Sequence, residues 1–342
     1  MPRFVDPPST VQASTPRTAV LLVNLGTPNA PTADAVREYL AEFLSDPRVV
    51  ELPHALWWPV LHGWVLRTRP RRSAEAYAKV WTHEGSPLLL YSMQLMQAVH
   101  AEVVRRTHGA AGVALAMRYG SPSIRDTLLH LQEQGVLRVL FLPLYPQYAA
   151  ATTGSALDAV TATMRQLRWP PELRTVNDYH EDAGYLAALA TSVTAHWSQH
   201  GRAQKLLLSF HGLPERSARA GDPYFNQCHD TAFRLREALG MREDEMLVAF
   251  QSRVGRQRWL RPYTDEVVTN LAREDVKTLD VLCPGFAVDC LETLEEVALR
   301  YRAAFLTQGG ERFTYIPALN ASSAHATALT QLALKHLKGW LD

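Results

Sequence analysis

His211 closes an apolar run, LLLSFHGLP, and Gly212 follows it. A histidine at the carboxyl end of a buried strand is a ready proton acceptor or metal ligand, because its ordinary pKa is about 6.5. A second group lies in CPGFAVDCLETLEEV, Cys283–Val297, where Pro284 and Gly285 break a strand and Asp289 is placed to start a helix. Asp289, Glu292 and Glu296 then stand at i, i+3 and i+7, on one face of an α-helix, with Glu295 expected to point elsewhere, into solvent. Three carboxylates in a row make either a solvated face or a stripe that handles protons or a hydrated divalent cation. A third group, AMRYGSPS, sets Arg118 and Tyr119 just after a strand, one a permanent charge and the other a phenol. A fourth, FLPLYPQYAAATTGS, carries Tyr145 and Tyr148 into a small polar turn.

Other chemistries find no residues to carry them. Ser209 has no G-x-S-x-G elbow around it. Walker A, G-x-G-x-x-G and H-E-x-x-H are absent from the sequence. Lys+Arg number 35 and Asp+Glu 34 in 342 residues, a balance that excludes a general nucleic-acid binder. Three cysteines, Cys228, Cys283 and Cys290, are too few for a disulfide framework and one short of the four thiolates of a usual iron–sulfur cluster. Neither an export signal nor a membrane-length apolar run stands out, so the expected location is cytoplasmic.

Short apolar runs that alternate with helical patterns must position these groups. Ala19–Leu25, Val113–Met117, Val136–Leu142 and Leu173–Val176 read as four strands; Lys205–Phe210, Glu245–Phe250, Thr278–Leu282 and Phe313–Ile316 read as four more. The fold class expected is α/β: two similar doubly wound lobes, each a four-stranded parallel sheet flanked by helices. The expected divisions are a flexible arm at 1–18, a first lobe at 19–178, a second at 179–320, and a closing helix at 321–342 that packs back on the first lobe. Ligands of such sheets bind at the carboxyl ends of the strands. The segment 52–72 is different: Trp57, Trp58 and Trp64 sit among aliphatic residues, followed by Arg67, Arg69, Arg71 and Arg72. It reads as a core helix with a basic end, or as an apolar lip for a flat ligand or a membrane surface.

Five motifs in order over nearly the whole chain resemble the ferrochelatase family: VNLGTP, YPQYAAATTGS, SFHGLPERSARAGDPY, FQSRVGRQRWLRPYTDE and CPGFAVDCLETLEE. The resemblance implies a two-lobed chelatase that inserts Fe²⁺ into protoporphyrin IX, the last step of haem synthesis. It implies that His211 is the active-site histidine and, with Glu292, the metal-handling pair. Glu296 and Asp289 complete an acidic path. Arg118 and Tyr119 match a pair on the opposite face of the porphyrin. Leu25, Tyr145, Trp57, Trp58, Arg71, Arg72 and Trp259 are expected to line the substrate. Leu25 stands where coproporphyrin-type relatives carry tyrosine, which favours protoporphyrin. Cys290 stands where some relatives carry histidine. No tightly bound cofactor and no iron–sulfur cluster is expected, and iron is substrate. The expected partners are the porphyrin and Fe²⁺, with no nucleic acid and with peripheral membrane contact open. A chelatase for another tetrapyrrole or metal, and a non-catalytic tetrapyrrole carrier, are the competing readings.

Overall fold

The computed structural model describes residues 17–253, 255 and 257–341. Two units divide the chain. The first takes the residues up to Leu144, Ala150–Asp178 and those from Ala326; the second takes Tyr145–Ala149 and Tyr179–His325. The expected arm lies outside the described residues as far as position 16. Its last two residues are not an arm: Arg17 and Thr18 already belong to a strand and pair with Val136 and Arg138.

The first unit contains β1 (Arg17–Gly26), α1 (Ala33–Leu44), α2 (His54–Val60), α3 (Leu66–Val80), α4 (Pro87–Arg106), β2 (Ala111–Tyr119), α5 (Ile124–Glu133), β3 (Val136–Pro143), α6 (Ser155–Met164) and β4 (Glu172–Thr175). Its strands run parallel in the order β2-β1-β3-β4. Val20, Leu21, Leu22 and Val23 are fully buried, because helices cover both faces of a parallel sheet. Each such side chain contributes roughly 1.5–3 kcal/mol of burial energy. Gly26 ends β1 beside Tyr119 with φ +108, and a Cβ there would lie 1.8 Å from the Tyr119 carbonyl oxygen. Only glycine permits that approach, which explains the glycine of VNLGTP.

The second unit contains α7 (Ala183–His200), β5 (Lys205–His211), α8 (Glu215–Arg219), α9 (Tyr224–Leu239), β6 (Met246–Gln251), α10 (Thr264–Arg273), β7 (Thr278–Leu282), α11 (Arg302–Thr307) and β8 (Arg312–Ile316). Its parallel sheet has the order β6-β5-β7-β8, the same topology as the first. All eight strands fall where the apolar runs predict them. The closing helix α12 (Ser323–Leu337) joins the first unit from Ala326. Within that unit, Arg174 Nη1 donates to the carbonyls of His336 and Lys338, both at 2.7 Å. Its guanidinium lies 4.1 Å from the Trp340 ring, whose Nε1 donates to Glu172 Oε1. A cation thus meets the negative end of α12 and closes it onto the edge strand β4.

Among the described residues three stretches are π-helical: Leu61–Val65, Ala150–Gly154 and Glu292–Tyr301. Hydrogen bonds from i to i+5 widen the turn, a rare arrangement that concentrates at functional sites.

Candidate functional site

In an open α/β sheet, ligands gather outside the carboxyl ends of the strands where strand order reverses. In the second unit that point lies between β5 and β7, and the two sequence motifs HGLP and CPGFAVDC leave from it. His211 is the last residue of β5, in register with Gln251 at the end of β6. His211 Nδ1 lies 2.7 Å from the Gly212 carbonyl oxygen. A carbonyl only accepts, so Nδ1 carries the proton, and the neutral ring offers its lone pair at Nε2. Gly212 is fixed in turn: its N–H donates to the Gln251 carbonyl, and a Cβ would meet that oxygen at 2.8 Å and Trp259 Cε3 at 3.2 Å. Trp259 therefore packs behind the turn that carries His211.

Gln251, which the sequence reading did not single out, ties the site together. It is buried, accepts from Ser209 Oγ at 2.6 Å, and donates from Nε2 to the Glu292 carbonyl at 3.3 Å. One amide thus joins β5, β6 and the start of the π-helix. Its only advance signal was its place in FQSRVGRQRW.

The acidic segment departs from expectation. Asp289 precedes the helix rather than starting it, and Glu292 and Glu296 lie on a π-helix, so no α-helical stripe joins the three. The Asp289 carboxylate is buried and accepts from Tyr315 Oη at 2.6 Å, Asn320 Nδ2 at 2.8 Å and Thr293 Oγ1 at 2.9 Å. It anchors the segment to β8 and the chain beyond. Glu295 does not point into solvent either: it is buried and pairs with Arg300 at 3.3 Å. Glu296 is partly buried, accepts from Ser252 Oγ at 2.6 Å and pairs with Arg300 at 3.0 Å. Burial pushes its carboxyl up, the Glu292 charge adds to this, and Ser252, Arg300 and His211 only partly offset it. Glu296 thus keeps a proton to a higher pH than an ordinary glutamate.

In the first unit Arg118 and Tyr119 end β2, and both turn to a residue the sequence reading missed. Asp46, in the turn after α1, is buried. Its Oδ2 accepts from Arg118 Nη2 at 2.5 Å, Ser155 Oγ at 2.5 Å and Tyr119 Oη at 2.9 Å, and its Oδ1 accepts from Arg48 N at 2.7 Å. Burial pushes this carboxyl up, but the bonds from Ser155, the Arg48 backbone and Tyr119, with the Arg118 charge, outweigh it and hold it below the usual carboxylate range. The Tyr119 side chain is fully buried, packs edge-on against Phe43 and underlies the Arg118 guanidinium at 4.4 Å, so it supports the arginine from below. Nothing in the sequence near Asp46 marked it, whereas Ser155 closes YPQYAAATTGS.

The remaining expected residues separate by exposure. Leu25 is half-buried at the end of β1, and Tyr145 is half-buried in the second unit. Segment 52–72 is α2, a π-helical turn and the start of α3. It fits both readings at once. Leu61, Val65 and Leu66 join Leu44 in a core cluster, and Trp57 packs on it and donates to the Leu44 carbonyl at 2.6 Å. Leu56 is 69% exposed, Trp64 65% and Trp58 52%, and Arg71 and Arg72 are exposed on α3. The exposed part of the segment is therefore apolar and aromatic, with a basic end. Trp57, expected on the substrate, ties the segment to that core cluster.

Comparison with known proteins identifies the family. The ferrochelatase family profile matches residues 17–337. Among curated relatives, the ferrochelatase of Thioalkalivibrio sulfidiphilus is 54% identical over 94% of this chain and 87% of its own. That of Teredinibacter turnerae is 54% identical over 95% and 89%. Among solved structures, SirB from Bacillus subtilis with Fe³⁺ has the same fold at a TM-score of 0.54 and 11% identity, over 95% of this chain and 97% of that one. The chain belongs to the ferrochelatase family, enzymes that insert iron into a porphyrin in haem synthesis.

Proposed function

We propose that the porphyrin is protoporphyrin IX, metallated with Fe²⁺ at His211 to give protohaem and two protons. The observation that carries this reading is the lone pair left at His211 Nε2 by the Nδ1–H bond to the Gly212 carbonyl. Metallation requires two pyrrole N–H protons to leave and an aquated Fe²⁺ to shed water. Nε2 accepts a pyrrole proton or holds the entering iron. Glu292 shares the iron, and Glu296, whose carboxyl burial pushes above the ordinary glutamate range, passes protons outward. Asp289 holds the acidic segment in place. Binding energy from remote parts of the macrocycle bends it, so that its nitrogen lone pairs turn toward the metal. Arg118 contacts the porphyrin, and Leu25, a leucine rather than a tyrosine, leaves room beside it.

The three cysteines fall short of the four thiolates of a usual cluster and are all buried, which supports a chain without one. Among the described residues no helix is long and apolar enough to cross a membrane. The exposed Leu56, Trp58 and Trp64, with Arg67, Arg71 and Arg72, support shallow contact with an anionic membrane from the cytoplasmic side, where a poorly soluble porphyrin partitions.

Anaerobic assays with Fe²⁺ and either protoporphyrin IX or coproporphyrin III test the reading. The expected result is many turnovers per enzyme with a higher kcat/KM for protoporphyrin. A higher value for coproporphyrin overturns the substrate assignment, and stoichiometric binding without turnover makes the chain a carrier.

A further inference from the structure

We infer that Asp46 and Ser155 are positioning residues that aim Arg118 at the porphyrin. The inference rests on the reading that Arg118 meets the substrate and goes beyond it by naming what holds the arginine. Three guanidinium bonds are fixed from one side: Nη2 to Asp46 Oδ2 at 2.5 Å, and Nε to Ser155 Oγ at 2.6 Å and to the Ser155 carbonyl at 3.0 Å. The ring of Tyr119 lies beneath it at 4.4 Å. Among the described residues Nη1 has no hydrogen-bond partner, so the cradle leaves one donor edge for a ligand. A planar guanidinium fixed at two nitrogens presents its remaining donors in a set direction, which a flexible lysine cannot do.

The cradle is itself over-determined. Ser155 Oγ donates to Asp46 Oδ2 while accepting from Arg118 Nε, and Tyr119 Oη donates to the same carboxylate oxygen. Ser155 opens α6 directly after the π-helical turn Ala150–Gly154, so an unusual backbone delivers it. Asp46 follows α1 and is pinned by the Arg48 N–H. A buried carboxylate with four donors is more than a lone arginine needs for neutralisation. It suits a group whose direction must be kept while the other side of the arginine meets a ligand.

The test is a double-mutant cycle. Asp46→Asn, Arg118→Ala and the double variant are assayed for iron insertion, with the Soret band of bound porphyrin as a second readout and thermal unfolding as the folding control. The expected result is a loss of at least about tenfold in kcat/KM for each single variant, since misplacement of a substrate contact costs up to ~100-fold. The double variant then falls no further than Arg118→Ala alone, and both singles shift the Soret band alike. If the losses multiply, Asp46 acts through stability and not through Arg118; the inference falls while the role of Arg118 stands. Full activity in Asp46→Asn also overturns it. If Arg118→Ala retains full activity, the reading of Arg118 as a substrate contact fails, and the inference fails with it. Should Asp46→Asn not fold, Ser155→Ala takes its place in the same cycle with the same readings.

Discussion

The bond from His211 Nδ1 to the Gly212 carbonyl leaves Nε2 as the ring nitrogen free to accept, and the turn that makes this bond admits no side chain at position 212. Gly212→Ala is expected to cost about 2 kcal/mol of stability, since backbone must move around a Cβ placed 2.8 Å from the Gln251 carbonyl. It should also lower turnover by displacing the imidazole; chemical denaturation and haem formation in parallel check both. Glu296→Gln removes the carboxyl proposed to pass protons, whose pKa burial raises. The expectation is a kcat loss of roughly 10²-fold or more with porphyrin affinity retained, read by fluorescence titration. Residue types singled out His211 and Arg118 at strand ends and the glutamates beyond β7, because charged or titratable groups there can do chemistry. Gln251 and Asp46 were silent, because an amide or a carboxylate that works by holding its neighbours looks like any other until the neighbours are known.

Strand positions were readable because parallel strands covered on both faces are short continuous apolar runs. Helix type was not readable, because a 3.6-residue period was assumed where the backbone takes i to i+5 bonds. That assumption put Asp289, Glu292 and Glu296 on one stripe and Glu295 in water; instead Asp289 lies before the π-helix, Glu292 and Glu296 remain neighbours, and Glu295 is buried. Gly26→Ala tests the element that sets the end of β1: a Cβ 1.8 Å from the Tyr119 carbonyl, at φ +108, should prevent soluble folded protein from accumulating. For the lip, Trp58→Ser with Trp64→Ser should abolish flotation with anionic liposomes and leave thermal stability within about 0.5 kcal/mol, because both side chains are more than half exposed. Retained flotation would move the membrane contact elsewhere.

The two units share one strand order, and the chain returns to the first through α12. The return carries a pH-dependent element at its root. His325, buried in the first turn of α12 with Nδ1 donating to the Asn320 carbonyl, has its pKa pushed from 6.5 down to about 4 by burial. Between those values the unfolded chain binds the proton and the folded chain does not. Stability therefore falls on acidification from pH 6.5 toward pH 4, by up to roughly 3 kcal/mol. His325→Asn keeps a donor for Asn320 and should flatten the slope of unfolding free energy across that window. The repeat of topology was legible from four runs in each half; which residues anchor the return, Arg174 and Trp340 among them, depends on tertiary pairs far apart in the chain.

The central claim is that iron insertion is centred on His211 with Glu292. The most direct measurement is anaerobic haem formation, followed by absorbance over many equivalents of Fe²⁺ and protoporphyrin IX, in the parent chain, His211→Ala and Glu292→Gln. The prediction is sustained turnover in the parent and a loss of at least about 10²-fold in both variants, each still folded and still binding porphyrin. Near-parental turnover in His211→Ala would contradict the account.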